Sequence, residues 1–182
     1  ELGTVYTFDG YSEQTIESGG GDIFGTELQF ALPFNVVADF LDGFGILGYY
    51  THLDNNVKVE DQQVDIIGLS DESYGITAYF EKMGFEARVS GNYRSEYTAE
   101  VRGGNNGLQN TSVLATELWD AQIGYDFGRG GFSGALGGLA VFLSGTNLTN
   151  EPYVQFEHND ERQITRYSNY GRNYQLGLRY KF

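Results

Sequence analysis

The chain has 182 residues and a formal net charge of −14, from 25 acidic residues against 11 Lys and Arg. This balance argues against a nucleic-acid surface, which needs clustered cations, and the absence of cysteine excludes disulfides, thiolate metal sites and cysteine nucleophiles. Glycine is abundant at 26 residues, proline is scarce at 2, and Tyr and Phe number 14 and 13. This composition suits strands with one apolar face better than a helical bundle. The sequence also has no run of about 18 apolar residues, so it predicts no membrane-spanning helix.

Eight segments alternate between apolar and polar residues with a period of two, which is the pattern of β-strands. They lie near residues 2–9, 22–32, 43–54, 72–82, 84–98, 117–127, 138–149 and 170–182. Each is near the length of about nine to eleven residues that a tilted strand needs to cross a bilayer. In 43–54 and 138–149 apolar residues occur on both faces, so their facing is ambiguous. The pattern predicts an all-β, antiparallel fold.

The connections between these segments alternate between two kinds. Connections 10–21, 55–71, 99–116 and 150–169 are long and polar and are predicted to be loops, whereas 33–42, the tight Met83-Gly84 turn and 128–137 are shorter or glycine-rich. Long loops at one rim and short turns at the other are expected of an outer-membrane β-barrel. An even number of strands would place both chain ends on the side of the short turns.

The last segment has the clearest two-sided pattern. One face carries Tyr174, Leu176, Leu178, Tyr180 and Phe182, and the other carries Asn173, Gln175, Gly177, Arg179 and Lys181. Aromatic residues at both ends of an apolar stripe are typical of an outer-membrane barrel strand, with lipid outside and a polar interior. The alternative is an ordinary strand of a soluble sandwich.

Several motifs, in order along nearly the whole chain, resemble the C-terminal barrel of TonB-dependent outer-membrane receptors. They are Gly25-Thr-Glu27, Leu41-Asp-Gly-Phe-Gly45 with Tyr49-Tyr-Thr51 and Asp54, Gly84-Phe-Glu-Ala-Arg88, Asn92-Tyr-Arg-Ser-Glu-Tyr97, Asp120-Ala-Gln-Ile-Gly-Tyr125, Asn147-Leu-Thr-Asn-Glu-Pro-Tyr153 and the segment from Tyr170 to Phe182. Members of this family have an N-terminal plug domain inside a 22-stranded barrel. The resemblance therefore implies that residues 1–182 are about eight C-terminal strands of such a transmembrane barrel, with the plug domain and the earlier strands outside this sequence.

The resemblance also implies a function, which is import of a nutrient across the outer membrane of a Gram-negative bacterium with energy supplied through TonB. The Asn147 and Leu41 motifs are similar to the branch that often imports oligosaccharides, and siderophores are the next substrate class. The implied partners are outer-membrane lipid, the plug domain, the TonB system, the small-molecule nutrient and the barrel assembly machinery. The stripe of Tyr174, Leu176, Leu178, Tyr180 and Phe182 looks like the signal that this machinery reads.

Three alternatives to an importer stay open at this stage. The eight strands could close alone as a small barrel, because eight strands enclose an interior that side chains can fill. Open strand edges could instead pair between copies of the chain. A soluble, lectin-like sandwich is the third.

No pattern in the sequence predicts an enzyme, a cofactor site or a metal site. The only histidines, His52 and His158, lack a third ligand at suitable spacing. The acidic connection 55–71 lacks the pattern of a calcium-binding loop. The glycine-rich segment 128–134 lacks the Lys-Ser/Thr pair of a phosphate-binding loop.

Two sets of residues are candidates for other roles. The first consists of charged residues on the polar faces of strands, predicted to form a lumen network or simply to be wetted by lumenal water: Glu27, Glu86, Arg88, Arg94, Asp120, Asp126 and Arg179. The second consists of the aromatic residues Tyr153 and Tyr167, which could stack on a sugar ring or lie at the lipid interface.

Overall fold

The computed structural model describes residues 20–59, 62–63, 65–104, 107–158 and 160–181. Within these residues the chain forms thirteen strands: β1 (Ile23–Pro33), β2 (Phe44–Asn55), β3 (Lys58–Val59), β4 (Gln62–Gln63), β5 (Glu72–Lys82), β6 (Phe85–Arg94), β7 (Tyr97–Gly104), β8 (Gly107–Val113), β9 (Thr116–Asp126), β10 (Leu139–Thr146), β11 (Tyr153–Glu157), β12 (Ile164–Ser168) and β13 (Asn173–Tyr180). Three short 3-10 helices span Phe34–Val36, Asp39–Leu41 and Gly134–Gly138. The described residues contain no α-helix.

Seven strands form one large antiparallel sheet in the order β1-β2-β5-β6-β9-β10-β13. They correspond to seven of the eight predicted segments, so the all-β, antiparallel prediction is confirmed. The predicted strand at 2–9 lies outside the described residues. The fifth segment, 84–98, was predicted too long, because β6 ends at Arg94 and a separate strand begins at Tyr97.

A four-stranded sheet, in the order β12-β11-β8-β7, lies beyond one end of the large sheet. It is built from the connections 99–116 and 150–169, whose prediction as loops is therefore wrong. The β7–β8 hairpin and the β11–β12 hairpin join through antiparallel pairing of β8 with β11. Strands β3 and β4, of two residues each, form a small hairpin in the connection 55–71. Polar side chains do not prevent a hairpin, because the backbone can pair whichever side chains it carries.

All three inserted hairpins leave the large sheet at the same end of its strands, called here the hairpin end. The opposite end, called here the turn end, carries the segments 34–43, 83–84 and 127–138. Met83 and Gly84 both have positive φ, 52° and 82°, which is the geometry of a type I′ turn that matches the twist of the paired strands. The chain reaches Lys181 at the turn end, where its N–H donates to Gly138 O at 2.9 Å. The predicted separation of long and short connections is present for the connections that the structure describes, whereas residues 10–19 of the predicted connection 10–21 lie outside the described residues.

The strands of the large sheet are strongly staggered. One row of directly paired residues starts at Tyr174, the second residue of β13, and crosses the whole sheet through Gly145, Ala121, Val89, Ala78 and Ile46 to Leu32, the last but one of β1. The row thus passes from the beginning of one strand to the end of another. Closing a sheet into a barrel requires a stagger and tilt of this kind. The described residues form an open sheet in which β13 pairs with β10 and β1 with β2.

The packed core of the described residues lies in the four-stranded sheet and not in the large one. Phe156 and Val113 are each 1% exposed, and Val154 is also buried. The buried hydroxyl of Thr98 donates to Asp65 Oδ2 at 3.2 Å, which ties the long connection after β2 to β7. In the large sheet Ala140 is buried, whereas most large apolar side chains are exposed. The large sheet therefore needs something other than its own side chains to cover it.

Candidate functional site: the two faces of the large sheet

The strand register sorts the large sheet into an apolar face and a polar face. Directly paired residues share a face, so the pairs can be followed from β1 to β13. The apolar face has an aromatic row near the hairpin end, formed by Tyr50, Tyr74, Tyr93, Trp119 and Tyr174. A second aromatic row near the turn end is formed by Phe44, Phe80, Phe85, Tyr125 and Tyr180. Between the rows lie aliphatic and small residues, among them Ile76, Val89, Ile123, Leu143 and Leu176.

The charged residues of this face lie outside the band that the aromatic rows enclose. His52, Asp54, Glu72 and Glu117 lie beyond the first row toward the hairpin end, and Lys82 lies beyond the second toward the turn end. Within the band, no strand of the large sheet places a charged side chain on this face. Sequence reasoning missed this arrangement, because each strand shows only its own stripe and the register between strands aligns the stripes into a band.

The band is exposed. Leu176 is 73% exposed, and the large apolar residues Leu28, Ile76, Val89, Ile123 and Leu143 are exposed as well. No second layer of described residues packs over them. Ring contacts reinforce both rows, since the rings of Tyr74 and Tyr93 stack at 4.7 Å and those of Phe44 and Phe80 lie 4.4 Å apart. The face is thus ordered within itself but has no protein cover in the described residues.

The residues predicted as an assembly signal lie on an edge strand of the large sheet. Tyr174, Leu176, Leu178 and Tyr180 occupy the apolar face of β13, and Phe182 lies outside the described residues. Among the described residues β13 pairs only with β10, so its other edge has no described strand neighbour. A template for strand addition requires such an edge. The signalling role itself stays a prediction.

The register places all seven predicted lumen charges on the polar face. Most of them form separate ion pairs or hydrogen bonds with a neighbouring side chain. Arg179 Nη2 lies 3.6 Å from Asp126 Oδ2, the one ion pair that joins two of the predicted charges among the described residues. Arg88 Nη2 lies 3.8 Å from Glu81 Oε1, and Glu86 Oε1 accepts from Gln122 Nε2 at 3.4 Å. Glu27 accepts from Gln29 Nε2. These contacts are separate pairs and not one network, and the lining of a lumen stays a prediction.

Asn147 organises the turn that follows β10. Its φ of 53° is left-handed, a conformation that asparagine tolerates better than most residues. Its Oδ1 accepts from Glu151 N at 2.7 Å, and its Nδ2 donates to Glu151 O at 3.1 Å and to Gly171 O at 3.2 Å. Its backbone N–H donates to Asp120 Oδ1 at 2.9 Å. The motif at 147–153 therefore joins the end of β10 to the first half of β9 and to the segment just before β13.

Replacing Asn147 by alanine should lower the free energy of unfolding by about 2 kcal/mol, because the backbone carbonyls and N–H that it serves lose a partly buried partner. Chemical denaturation of the purified protein measures the change. Asn150→Ala is the matched control, since Asn150 has a φ of 62° and no side-chain hydrogen bond in the described part of the chain. Equal losses in the two variants would mean that the side-chain hydrogen bonds of Asn147 contribute nothing.

The structure does not bring the two candidate ligand aromatics together. Tyr153 pairs with Ser168 and the adjacent Val154 pairs with Tyr167, so Tyr153 and Tyr167 lie on opposite faces of the four-stranded sheet. Tyr153 OH accepts from Gln155 Nε2 at 2.9 Å, and Arg166 lies 5.6 Å from its ring centre. Tyr167 is 60% exposed. Stacking of both rings on one sugar unit is excluded by this geometry, and a separate contact by either ring stays a prediction.

Ionisable groups in and next to the four-stranded sheet have pKa values that burial and local hydrogen bonds shift. Burial raises the pKa of Tyr97 and, helped by the carboxylate of Glu161, that of Glu96. Hydrogen bonds from Arg162 lower the pKa of Asp160 to about 2, and Arg162 Nε and Nη2 both lie 2.8 Å from its carboxylate oxygens. Asp160 is therefore ionised at neutral pH and closes the turn before β12.

Neither a metal cluster nor a spanning helix is found in the part of the chain that the structure describes. No group of three or more His, Cys, Asp or Glu there has the geometry to hold a metal ion. His52 instead contacts Asp54 Oδ2 at 3.3 Å and Glu72 Oε1 at 3.9 Å. No described helix has the length and apolar character needed to cross a membrane.

Comparisons with known proteins do not assign this chain to a class, so any assignment depends on its sequence motifs and its structure. No model of a protein family matches the chain, and neither a curated protein nor a solved structure gives a significant match.

Proposed function

We propose that these strands form part of a transmembrane β-barrel in the outer membrane of a Gram-negative bacterium, and that the barrel imports a nutrient with energy supplied through TonB. The observation that carries the proposal is the band on the apolar face. It is uncharged, bounded by aromatic rows at both ends, and left uncovered by the described protein. A water-soluble protein rarely exposes so large an apolar patch, whereas aromatic girdles on either side of an apolar band are the arrangement of outer-membrane barrels.

Other features of the fold support a barrel wall over a soluble sandwich. The large sheet carries charged and polar side chains on most strands of its other face, as the interior of a transport barrel requires. Its strands are staggered in the manner of a barrel, and its long hairpins all extend from one end. A sandwich would pack the apolar face against a second sheet. The resemblance of the sequence motifs to TonB-dependent receptors then favours active import, with an oligosaccharide as the first substrate class and a ferric siderophore as the second.

The alternative is a structural role, in which the open edges of the large sheet pair between copies of the chain. Among the described residues, β1 and β13 each have one strand neighbour, which leaves edges that favour such pairing. Closure of eight strands on themselves would require residues 2–9, which lie outside the described residues. Separating these possibilities requires the strand neighbours of β13 to be mapped in the membrane-embedded protein by disulfide cross-linking.

Site-directed labelling tests the location of the apolar face. Because the chain has no cysteine, Leu176→Cys and Gln175→Cys each introduce one labelling site into these residues, on opposite faces of β13. We expect a fluorophore at position 176 in the membrane-embedded protein to be quenched by nitroxides carried on lipid acyl chains, because that face meets hydrocarbon. A fluorophore at position 175 should be quenched mainly by an aqueous quencher. Aqueous quenching of both labels would overturn the membrane assignment.

Uptake measurements test the import function. Cells that lack the intact gene should lose uptake of one class of nutrient, and abolishing the function of TonB in cells with the gene should produce the same loss. Radiolabelled neutral oligosaccharides and ferric siderophores are the two probes. If neither loss of the gene nor loss of TonB function changed the uptake of either probe, active import would be contradicted. The structural role would then be the proposal that remains.

A further inference from the structure

A groove of about 690 Å³ runs over the polar face of β1, β2 and β5 and reaches β6. The polar and aromatic side chains that line it include Glu27, Gln29, Tyr49, Thr51, Thr77 and Asn92. A second groove of about 460 Å³ lies on the same face toward the hairpin end. The two grooves share Tyr49 and Asn92. Together they form a path along the polar face, from the hairpin end to the middle of the sheet, with Tyr49 at the junction.

The position of Tyr49 is fixed by the strand opposite it. Tyr49 pairs directly with Gly75 of β5, and a Cβ atom at Gly75 would lie only 2.4 Å from Tyr49 Cε1. The ring can therefore pack against the main chain of β5 only because residue 75 is glycine. Its hydroxyl donates to Asn92 Oδ1 at 3.5 Å. The side chain is nevertheless 38% exposed, so an ordered aromatic ring remains accessible from the groove.

The chemistry around this ring is neutral to acidic. The polar groups that line the larger groove with this ring are hydroxyl, carboxamide and carboxylate groups, and they alternate with the apolar Phe30, Ala31 and Leu47. Neither Lys nor Arg is among the described residues of this lining. Arg94 lines the second groove, but there it is already engaged by protein groups. Its Nε donates to Ser70 Oγ at 2.6 Å, its Nη2 donates to Gly68 O at 2.5 Å, and its guanidinium lies 3.7 Å from the ring centre of Tyr97. A phosphate or carboxylate ligand would need the charge-assisted hydrogen bonds that such cations supply.

We propose that the Tyr49–Asn92 groove binds a neutral oligosaccharide. The ring of Tyr49 packs against the apolar face of one sugar unit, as aromatic rings do with apolar surface. Asn92, Gln29 and Thr51 exchange hydrogen bonds with its hydroxyl groups, and Glu27 accepts from them. The inference rests on the proposed function, because the polar face is an import path only if the large sheet is the wall of a transport barrel. The inference adds a binding site to the proposed function, and it selects oligosaccharides over ferric siderophores as the substrate class.

Binding to the full-length protein, purified in detergent, tests this site. The first probe is an array of neutral oligosaccharides of glucose, mannose, galactose and xylose, alongside sulfated and uronic-acid oligosaccharides. We expect the strongest ligands to be neutral. Calorimetric titration with the strongest of them should show about three- to tenfold weaker binding for Tyr49→Ala, from the loss of one aromatic contact. Tyr49→Phe, which keeps the ring, should stay within about twofold of the natural protein.

Tyr79→Ala is the matched control. Tyr79 also lies on the polar face and also packs against a glycine of the neighbouring strand, since a Cβ atom at Gly45 would meet its ring at 2.3 Å. It does not line either groove. We expect its removal to leave the affinity unchanged and the free energy of unfolding lowered about as much as in Tyr49→Ala.

Three results would overturn the site. The first is equal affinity of Tyr49→Ala and Tyr79→Ala for the ligand, and the second is an array on which the strongest ligands are anionic. The third is a loss of stability in Tyr49→Ala without a loss of affinity, which is expected if another segment of the protein covers the groove. If TonB-driven uptake and lipid-phase quenching at position 176 both hold, these results refute the groove alone. If the label at position 176 is not quenched from the lipid phase, the proposed function itself fails, whatever the array gives.

Discussion

Replacing Leu176 by arginine should lower the free energy of unfolding in lipid vesicles by about 2–4 kcal/mol, the cost of a cation near the midplane of a bilayer. Leu176 lies in the middle of β13, pairs with Leu143 of β10 and is 73% exposed. In water, a substitution at so exposed a position would change stability by no more than about 0.5 kcal/mol. A large loss therefore identifies hydrocarbon as the surroundings of this face. Urea unfolding of the vesicle-embedded protein measures it.

Gln175→Arg is the control for this substitution. It introduces the same side chain one residue away, where the register places it on the polar face opposite Ser144. If that face is wetted, the loss should be below about 1 kcal/mol. Equal losses in the two variants, or a larger loss at position 175, would mean that the faces are assigned the wrong way round or that neither meets lipid.

Replacing Gly84 by alanine should destabilise the protein by about 2–4 kcal/mol through two separate effects. The first is conformational, because φ at Gly84 is +82° and a left-handed backbone costs an L-residue about 1–2 kcal/mol. The second is steric, because the new Cβ would lie 2.3 Å from Asp126 O and 2.6 Å from Gly130 N. Both are main-chain atoms, and the N–H of Asp126 donates to Gly84 O at 2.8 Å. The β5–β6 turn and the end of β9 would have to separate.

Gly131→Ala isolates the steric part of this effect. Gly131 has a φ of +91° but no atom within 4 Å of the position that a Cβ would take. It should therefore show only the conformational cost, about 1–2 kcal/mol. Equilibrium denaturation of the two variants under the same conditions gives the difference. A loss at Gly131 as large as that at Gly84 would refute the close approach of the β5–β6 turn to residues 126 and 130.

The positions of the strands in the large sheet were predictable because alternation with a period of two is a local property. Seven segments of the sequence coincide with strands of this sheet, and the Met83-Gly84 turn falls where it was expected. The failures have a different origin. The hairpins in 99–116 and 150–169 were predicted as loops, because their residues do not form one apolar stripe with a period of two. Their strands pair with each other, outside the large sheet.

The candidate sites divide in the same way. The facing of Glu86 and Arg88 could be predicted, because both belong to a strand with a clean alternation. The facing of 43–54 could not, because Leu47, Tyr49 and Leu53 put apolar groups on the same face as Thr51. In the structure Tyr49 is accommodated on the polar face by Gly75, a residue of another strand. The grouping of Tyr49 with Asn92 likewise depends on β5 lying between their strands.

The sequence by itself determined where each strand of the large sheet lies and, in most strands, which residues share a side, since side chains alternate along any extended backbone. The tertiary structure alone decided how those sides align. Register between strands gathers the aromatic residues into two rows and moves the charges of the apolar face, such as Glu72 and Lys82, outside them. The physical reason is that register is set by hydrogen bonds between strands far apart in the chain, and a one-residue slip would exchange the faces.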